Sequence, residues 1–264
     1  MGSEHFQFGG GLHQTLLHPL VLAAMVVTAL SILFLPRKYV IVPVLVTALL
    51  APLGQEVFAG GFHFFVLRII ILVGCVRMLW TKLSGKTEVA SGGFNSVDKA
   101  FTLWAIFRAL ATILLFASMP AVNGECGFLL DAFGGYFFLR FLIRDCEDIT
   151  RAAKVLALIA LVAAGGMLNE KIHFQNIFGF LGGVPIIPGI REGVIRAQGP
   201  FGHPILAGTF GATLAALFFW LWKIAKSRFL AVIGVISSAV IAVTAASSTA
   251  IMAFVWGIFA ICFW

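Results

Sequence analysis

The sequence predicts an all-α fold, a polytopic transmembrane helical bundle with about nine helices. Three observations predict it. Of the 264 residues 61% are hydrophobic, and only 11% are charged, against about 25% in an ordinary soluble domain. The mean hydropathy is +1.04. The apolar residues fall into nine runs, most of them close to the about 20 residues that a bilayer-crossing helix needs. Together these exclude a soluble globular domain, a disordered chain and a small disulfide scaffold. The chain reads as a single integral membrane domain over 1–264.

Residues 1–15 are rich in Gly and His and lack the basic stretch that opens a signal peptide. Apolar runs follow at about 17–35, 39–54, 62–80, 100–118, 127–143, 152–168, 203–222, 229–246 and 249–264. Within lipid every backbone amide must be satisfied inside its own segment, so all nine are expected as α-helices. Phe, Gly and Ala dominate them, and the small residues permit close helix approach. No internal sequence repeat is evident. The chain ends at Cys262-Phe263-Trp264, inside an apolar run, which predicts a chain that is incomplete at its C-terminus.

The basic residues orient the helices. Arg37, Lys38, Lys82, Lys86, Lys99, Arg144, Arg151, Lys154, Lys223, Lys226 and Arg228 fall in alternate loops, whereas the opposite loops hold only Lys171, Arg191 and Arg196. The positive-inside rule puts the first set in the cytoplasm. It therefore puts the N-terminus and the long 169–202 loop outside. Most of the net charge of +7 is topological in this reading, which argues against nucleic acid as a partner.

The 169–202 loop is unlike the others. Its first part is apolar but broken by Gly179, Gly182, Gly183, Pro185 and Pro188. That predicts an interfacial or re-entrant segment rather than a span. Its second part carries Arg191 and Arg196 to the start of the seventh run, where His203 precedes Pro204. Arginine presents paired donors to phosphate oxygens, and a helix start adds free amides and a positive dipole end. His203 is a candidate base or phosphate donor. These residues make an outward diphosphate site, with a solvated loop and a plain helix start as the alternative.

Arg108 lies near the middle of the fourth run, where an unpaired charge is costly. It is either an anion site or one half of an ion pair. Asp131 is expected to pair with Arg68 or Arg108. Arg77 and Arg140 lie near cytoplasmic helix ends and are expected to snorkel. In Asp145-Cys146-Glu147-Asp148 the acidic residues precede a helix, and Asp148 is the expected cap. His13, His18, His63 and His173 show no ligand spacing, and no metal site is expected. Cys75, Cys126, Cys146 and Cys262 form no CxxC pair. Nucleotide-binding and hydrolase motifs are absent.

The stretch Arg196-Ala-Gln-Gly-Pro-Phe-Gly-His203-Pro204-Ile-Leu-Ala-Gly208 resembles a hallmark of the O-antigen ligase and O-antigen polymerase superfamily. There an arginine and a Gly-Phe pair precede His-Pro or Asn-Pro at a helix start. Thr244-Ala-Ala-Ser247-Ser248-Thr249 is similar to the family's Thr/Ser-rich junction two helices on, without the arginine found there. Asp131-Ala-Phe-Gly-Gly-Tyr-Phe-Phe-Leu-Arg140 resembles the helix before the family's outer loop. Arg191 and Gly202 keep the Arg-to-Gly spacing of polymerase loops. The resemblance covers roughly residues 100–264.

It implies a multi-pass glycosyltransferase of the bacterial inner membrane, acting in cell-surface polysaccharide biosynthesis. Such an enzyme takes a glycan from a lipid-linked donor, undecaprenyl diphosphate, and ligates or polymerises it onto a glycan or lipid acceptor. It needs no cofactor, nucleotide sugar or obligatory metal. The resemblance implies that Arg196, together with Arg191, holds the diphosphate and stabilises the leaving group, and that Arg68 or Arg108 contributes to diphosphate binding from below. Arg196 is therefore a catalytic candidate. His203 is one from its own place at the helix start, since the histidine essential in ligases lies in the family's later outer loop. The resemblance also implies about twelve helices in the whole protein, with a second large outer loop beyond the region present here and a cytoplasmic N-terminus. The last point conflicts with the parity of the loop charges. A transporter or flippase of lipid-linked saccharides is the alternative. It would show internal repeats and broken helices in matching halves.

Overall fold

The computed structural model describes residues 15–59, 62–85, 92–224 and 228–263. The residues 1–14, with His13, and Lys86, Lys226 and Trp264 lie outside the described residues. Nine α-helices occur among the described residues: α1 (Pro19–Phe34), α2 (Arg37–Leu50), α3 (Val66–Leu83), α4 (Ser96–Phe116), α5 (Met119–Leu142), α6 (Cys146–His173), α7 (Pro204–Ile224), α8 (Arg228–Thr244) and α9 (Ser248–Phe263). Each of the nine apolar runs overlaps one of them. Two small antiparallel hairpins interrupt the helical pattern: β1 (Glu56–Ala59) with β2 (Phe62–Phe65), and β3 (Gly189–Arg191) with β4 (Val194–Arg196). Three helices, α4, α6 and α7, are long and apolar enough to cross a membrane. The helices α1, α8 and α9 are apolar but shorter.

Local chemistry sets the helix boundaries. Proline occupies the first turn of α1, α5 and α7, where its missing N–H costs nothing. A reciprocal capping box opens α4: the Asn95 side chain accepts from the Asp98 amide, and Asp98 accepts from the Asn95 amide. Asp145, not Asp148, caps α6, its carboxylate accepting from the Asp148 amide at 2.8 Å. That leaves Asp148 free to bind Arg37 and Arg151. Two helices outrun their apolar cores. The first two turns of α5 contain Asn123 and Glu125, and the last turn of α6 contains Glu170 and Lys171. Polar residues there interrupt the apolar run but not the helix.

Two apolar clusters form the interior. One joins α1, α2, α3 and α5, with Ile32, Val40, Ile70, Phe138 and Leu142 almost fully buried. The other joins α6, α7 and α8 with residues 197–201. Helix α6 belongs to both. The alanines at 153, 157, 160 and 163 are fully buried in the second cluster, and their small side chains let the backbones approach closely. Between α7 and α9 a Cβ on Gly208 would lie 2.5 Å from the Ala250 Cβ, so only glycine fits.

The helices alternate in direction, which sorts their ends into two faces. At the loop face, Leu16 bridges Glu56, the Leu53 amide donates to the Pro200 carbonyl, and the Ala197 amide donates to the Thr244 carbonyl. At the opposite, basic face, Arg37 reaches the Leu142 carbonyl and Asp148, and Arg151 reaches the Lys38 carbonyl. Arg77 donates to the carbonyls of Ile32 and Leu35, and Arg140 pairs with the fully buried Asp98. Arg77 and Arg140 are therefore tied to neighbouring helix ends at this face. The start of α1 and the long loop share one face, as the loop charges predict.

Candidate functional site

The segment leading into α7 is the best-anchored loop of the molecule. Helix α6 ends at His173, so the loop starts later than the sequence indicates, and Glu170 becomes a helical residue aimed at it. The Glu170 carboxylate is fully buried. It accepts from the Gln198 amide at 3.1 Å and the Gly199 amide at 2.9 Å. Asn176, also fully buried, donates from Nδ2 to the Gly199 carbonyl at 2.8 Å and accepts from the Phe178 amide. Gln198 donates to the Phe201 carbonyl, and Lys171 Nζ donates to the Ile195 carbonyl at 2.6 Å. The apolar first part of the loop forms a short 3-10 turn, Ile177–Leu181, with Phe178 and Gly179 buried.

A second loop braces this one from the side. Gln55 is fully buried; its Oε1 accepts from the His18 amide at 2.7 Å, and its Nε2 donates to the Leu181 carbonyl at 2.6 Å. Gly54 and Gly183 meet backbone to backbone, and a Cβ on Gly183 would lie 2.8 Å from the Gln55 nitrogen. Glu170, Asn176 and Gln55 were not legible as site residues. Their only sequence signal is a polar residue at the edge of an apolar run.

On this frame stands the β3–β4 hairpin. Its turn residues Glu192 and Gly193 have φ of +52° and +75°, the two positive values that a tight two-residue hairpin turn requires. Arg191 sits at the tip, 3.4 Å from Glu192, with side-chain exposures of 70% and 83%. Such a pair is solvated and contributes little. Arg196 lies at the base of the hairpin, immediately before the pinned residues, and is half-buried. Its Nε is buried with no hydrogen-bond partner, and its guanidinium makes no ion pair among the described residues. A buried donor without a partner is uncommon and costly.

His203 is exposed at the start of α7. Its Nδ1 accepts from the Ile205 amide at 3.2 Å, which caps the helix. A neutral imidazole that accepts at Nδ1 carries its proton at Nε2, so the outward atom is a donor. For His203 to act as a base at Nδ1 this cap must open.

Arg68 and Arg108 are placed elsewhere and are engaged. Arg68 on α3 grips Asp131 on α5 with two bonds, Nε to Oδ1 at 2.9 Å and Nη2 to Oδ2 at 2.6 Å, and donates to the His63 carbonyl. Arg108 on α4 pairs with Glu125 on α5 at 3.0 Å, its guanidinium carbon 3.6 Å from the centroid of the Phe128 ring. Arg191, Arg196 and His203 lie along the one loop that leads into α7, and no hydrogen bond or ion pair joins them to one another among the described residues. The structure puts Arg68 and Arg108 in ion pairs on the α3–α4–α5 side. Comparison of the chain with known protein families, with curated proteins and with solved structures finds no match.

Proposed function

We propose that the chain is a multi-pass protein of the bacterial inner membrane and an O-antigen ligase- or polymerase-like glycosyltransferase. It transfers a glycan from an undecaprenyl-diphosphate donor at the outer face, where the loop face lies, and its basic face lies in the cytoplasm. The observation that carries this reading is Arg196. Among the described residues it is a half-buried cation with an unpaired buried Nε, carried on the braced loop that leads into α7. A diphosphate supplies the acceptors that this guanidinium lacks, and the dipole of α7 favours the same charge. In the transfer step the C–O bond between sugar and diphosphate breaks, the acceptor hydroxyl oxygen bonds the anomeric carbon, and the hydroxyl proton passes to the departing diphosphate. Arg196 stabilises the charge that builds on the departing diphosphate. The outward Nε2–H of His203 is a second donor to the same charge. Arg191 meets the donor from solvent. Arg68 and Arg108, engaged by carboxylates, serve as braces in this reading rather than as direct diphosphate ligands.

The test is Arg196→Ala in cells that assemble a surface glycan. The expected result is loss of the glycan ladder with normal membrane insertion, and a normal ladder would overturn the reading. A labelled lipid-linked sugar separates transfer from transport. Movement across the bilayer without transfer to an acceptor would favour a flippase instead.

A further inference from the structure

A groove at the basic face lies outside everything assigned above. It has a volume of about 410 Å³ and is lined by Cys146, Glu147, Thr150, Arg151 and Lys154 from the first turns of α6, and by Ile224 from the end of α7. Cys146 and Glu147 are exposed, whereas Thr150, Arg151 and Lys154 are half-buried. Neither Glu147 nor Lys154 forms an ion pair among the described residues. Among the described residues Arg151 hydrogen-bonds only through Nη1, to Asp148 and the Lys38 carbonyl, and its Nε and Nη2 donate to none of them.

The charges are ordered along the helix axis. Residues three and four apart share a helix face, so Glu147, Arg151 and Lys154 form one row. At about 1.5 Å per residue the row is about 10 Å long. Glu147 is at the helix start and Lys154 is two turns deeper. The half-exposed Trp222 stands on the last turn of α7, at the level where aromatic residues mark the membrane interface. A phospholipid in the cytoplasmic leaflet presents its phosphate on the acyl side and its headgroup substituent toward water. The row has the matching order, with cations deeper and a carboxylate outside.

We infer that this groove seats an aminophospholipid headgroup, with the phosphate against Arg151 and Lys154 and a primary ammonium against Glu147. A glycerol headgroup offers Glu147 only neutral hydroxyls, with no charge to match its own. A fully methylated ammonium leaves it without a hydrogen bond. The inference rests on the membrane reading above but not on glycan transfer.

The experiment uses the whole protein in nanodiscs of equal parts phosphatidylethanolamine, phosphatidylcholine and phosphatidylglycerol, with retained lipid read by native mass spectrometry. The wild type is expected to retain phosphatidylethanolamine about tenfold over phosphatidylcholine. Glu147→Gln is expected to lose that discrimination. Lys154→Gln is expected to retain about tenfold less lipid overall, with Lys154→Arg restoring it. The two substituted side chains, Glu147 and Lys154, line the open groove, so unchanged thermal unfolding of the variants is the folding control. Equal retention of the two zwitterionic lipids by the wild type overturns the inference. So does unchanged discrimination in Glu147→Gln, and so does displacement of the lipid by millimolar inorganic phosphate, which would mark a free-anion site. A protein that floats with membranes but shows none of this selectivity overturns the inference alone. One that stays in solution without detergent overturns the membrane reading as well.

Discussion

The arginines of the α3–α4–α5 side and those of the loop before α7 are built in opposite ways. Arg68 and Arg108 meet Asp131 and Glu125 at 2.6 and 3.0 Å, and aromatic rings flank both guanidiniums. Arg196 meets no carboxylate, although the backbone on either side of it is tightly bonded. In one region packed helices bring charged side chains onto one another, and those side chains are satisfied. In the other the frame is satisfied and the side chain is not. A matched ion pair inside an apolar bundle holds helices together. An unmatched donor on a rigid frame costs stability and is retained where a ligand completes it.

Breaking the frame should have the largest effect. Glu170→Ala leaves the buried amides of Gln198 and Gly199 without an acceptor, an expected loss of about 2–4 kcal/mol. Thermal unfolding in detergent measures the loss, and protease cutting within 189–203 should appear before global unfolding. Arg68→Ala is expected to cost about 1–2 kcal/mol, less than a deeply buried pair because the Asp131 side chain keeps 36% exposure. The double variant Arg68→Met with Asp131→Leu should recover most of it, and a double variant no better than the single would argue against a mainly structural pair. Arg196→Met should move the other way, raising stability by up to about 1 kcal/mol by removing an unpaired buried donor, while glycan transfer is lost. A marked destabilisation there would place Arg196 with Arg68 and erase the contrast. Smaller still, His203→Ala is expected to cost about 0.5 kcal/mol by uncapping α7. Arg191→Ala should leave the unfolding midpoint unchanged, because its pair with Glu192 is solvated.

The helices were legible because apolar runs of suitable length survive any arrangement of their neighbours. The runs at 17–35 and 100–118 start two and four residues from the starts of α1 and α4 and end one and two residues from their ends. The run at 152–168 fell short of α6 by several residues at each end, because Glu147, Asp148, Glu170 and Lys171 look like loop residues until their partners are known. The β1–β2 hairpin was hidden inside the approach to the third run, since Phe62–Phe65 is as apolar as the helix that follows. Of the candidate site, the arginines and His203 were visible as residue types. Which of them had partners was not, since Arg68 and Asp131 are 63 positions apart.

What the sequence determined alone is the inventory: nine apolar segments, a basic bias at alternate loops, and a cluster of Arg191, Arg196 and His203 ahead of one helix. These follow from local composition and period. Tertiary structure decided which charges are spent on one another and which remain. It matched Asp131 to Arg68 rather than Arg108, turned Glu170 onto the backbone before α7, and left the Arg196 Nε unpaired. The reason is that charge pairing acts through space over a few ångströms, and only the packing of helices distant in sequence brings partners that close.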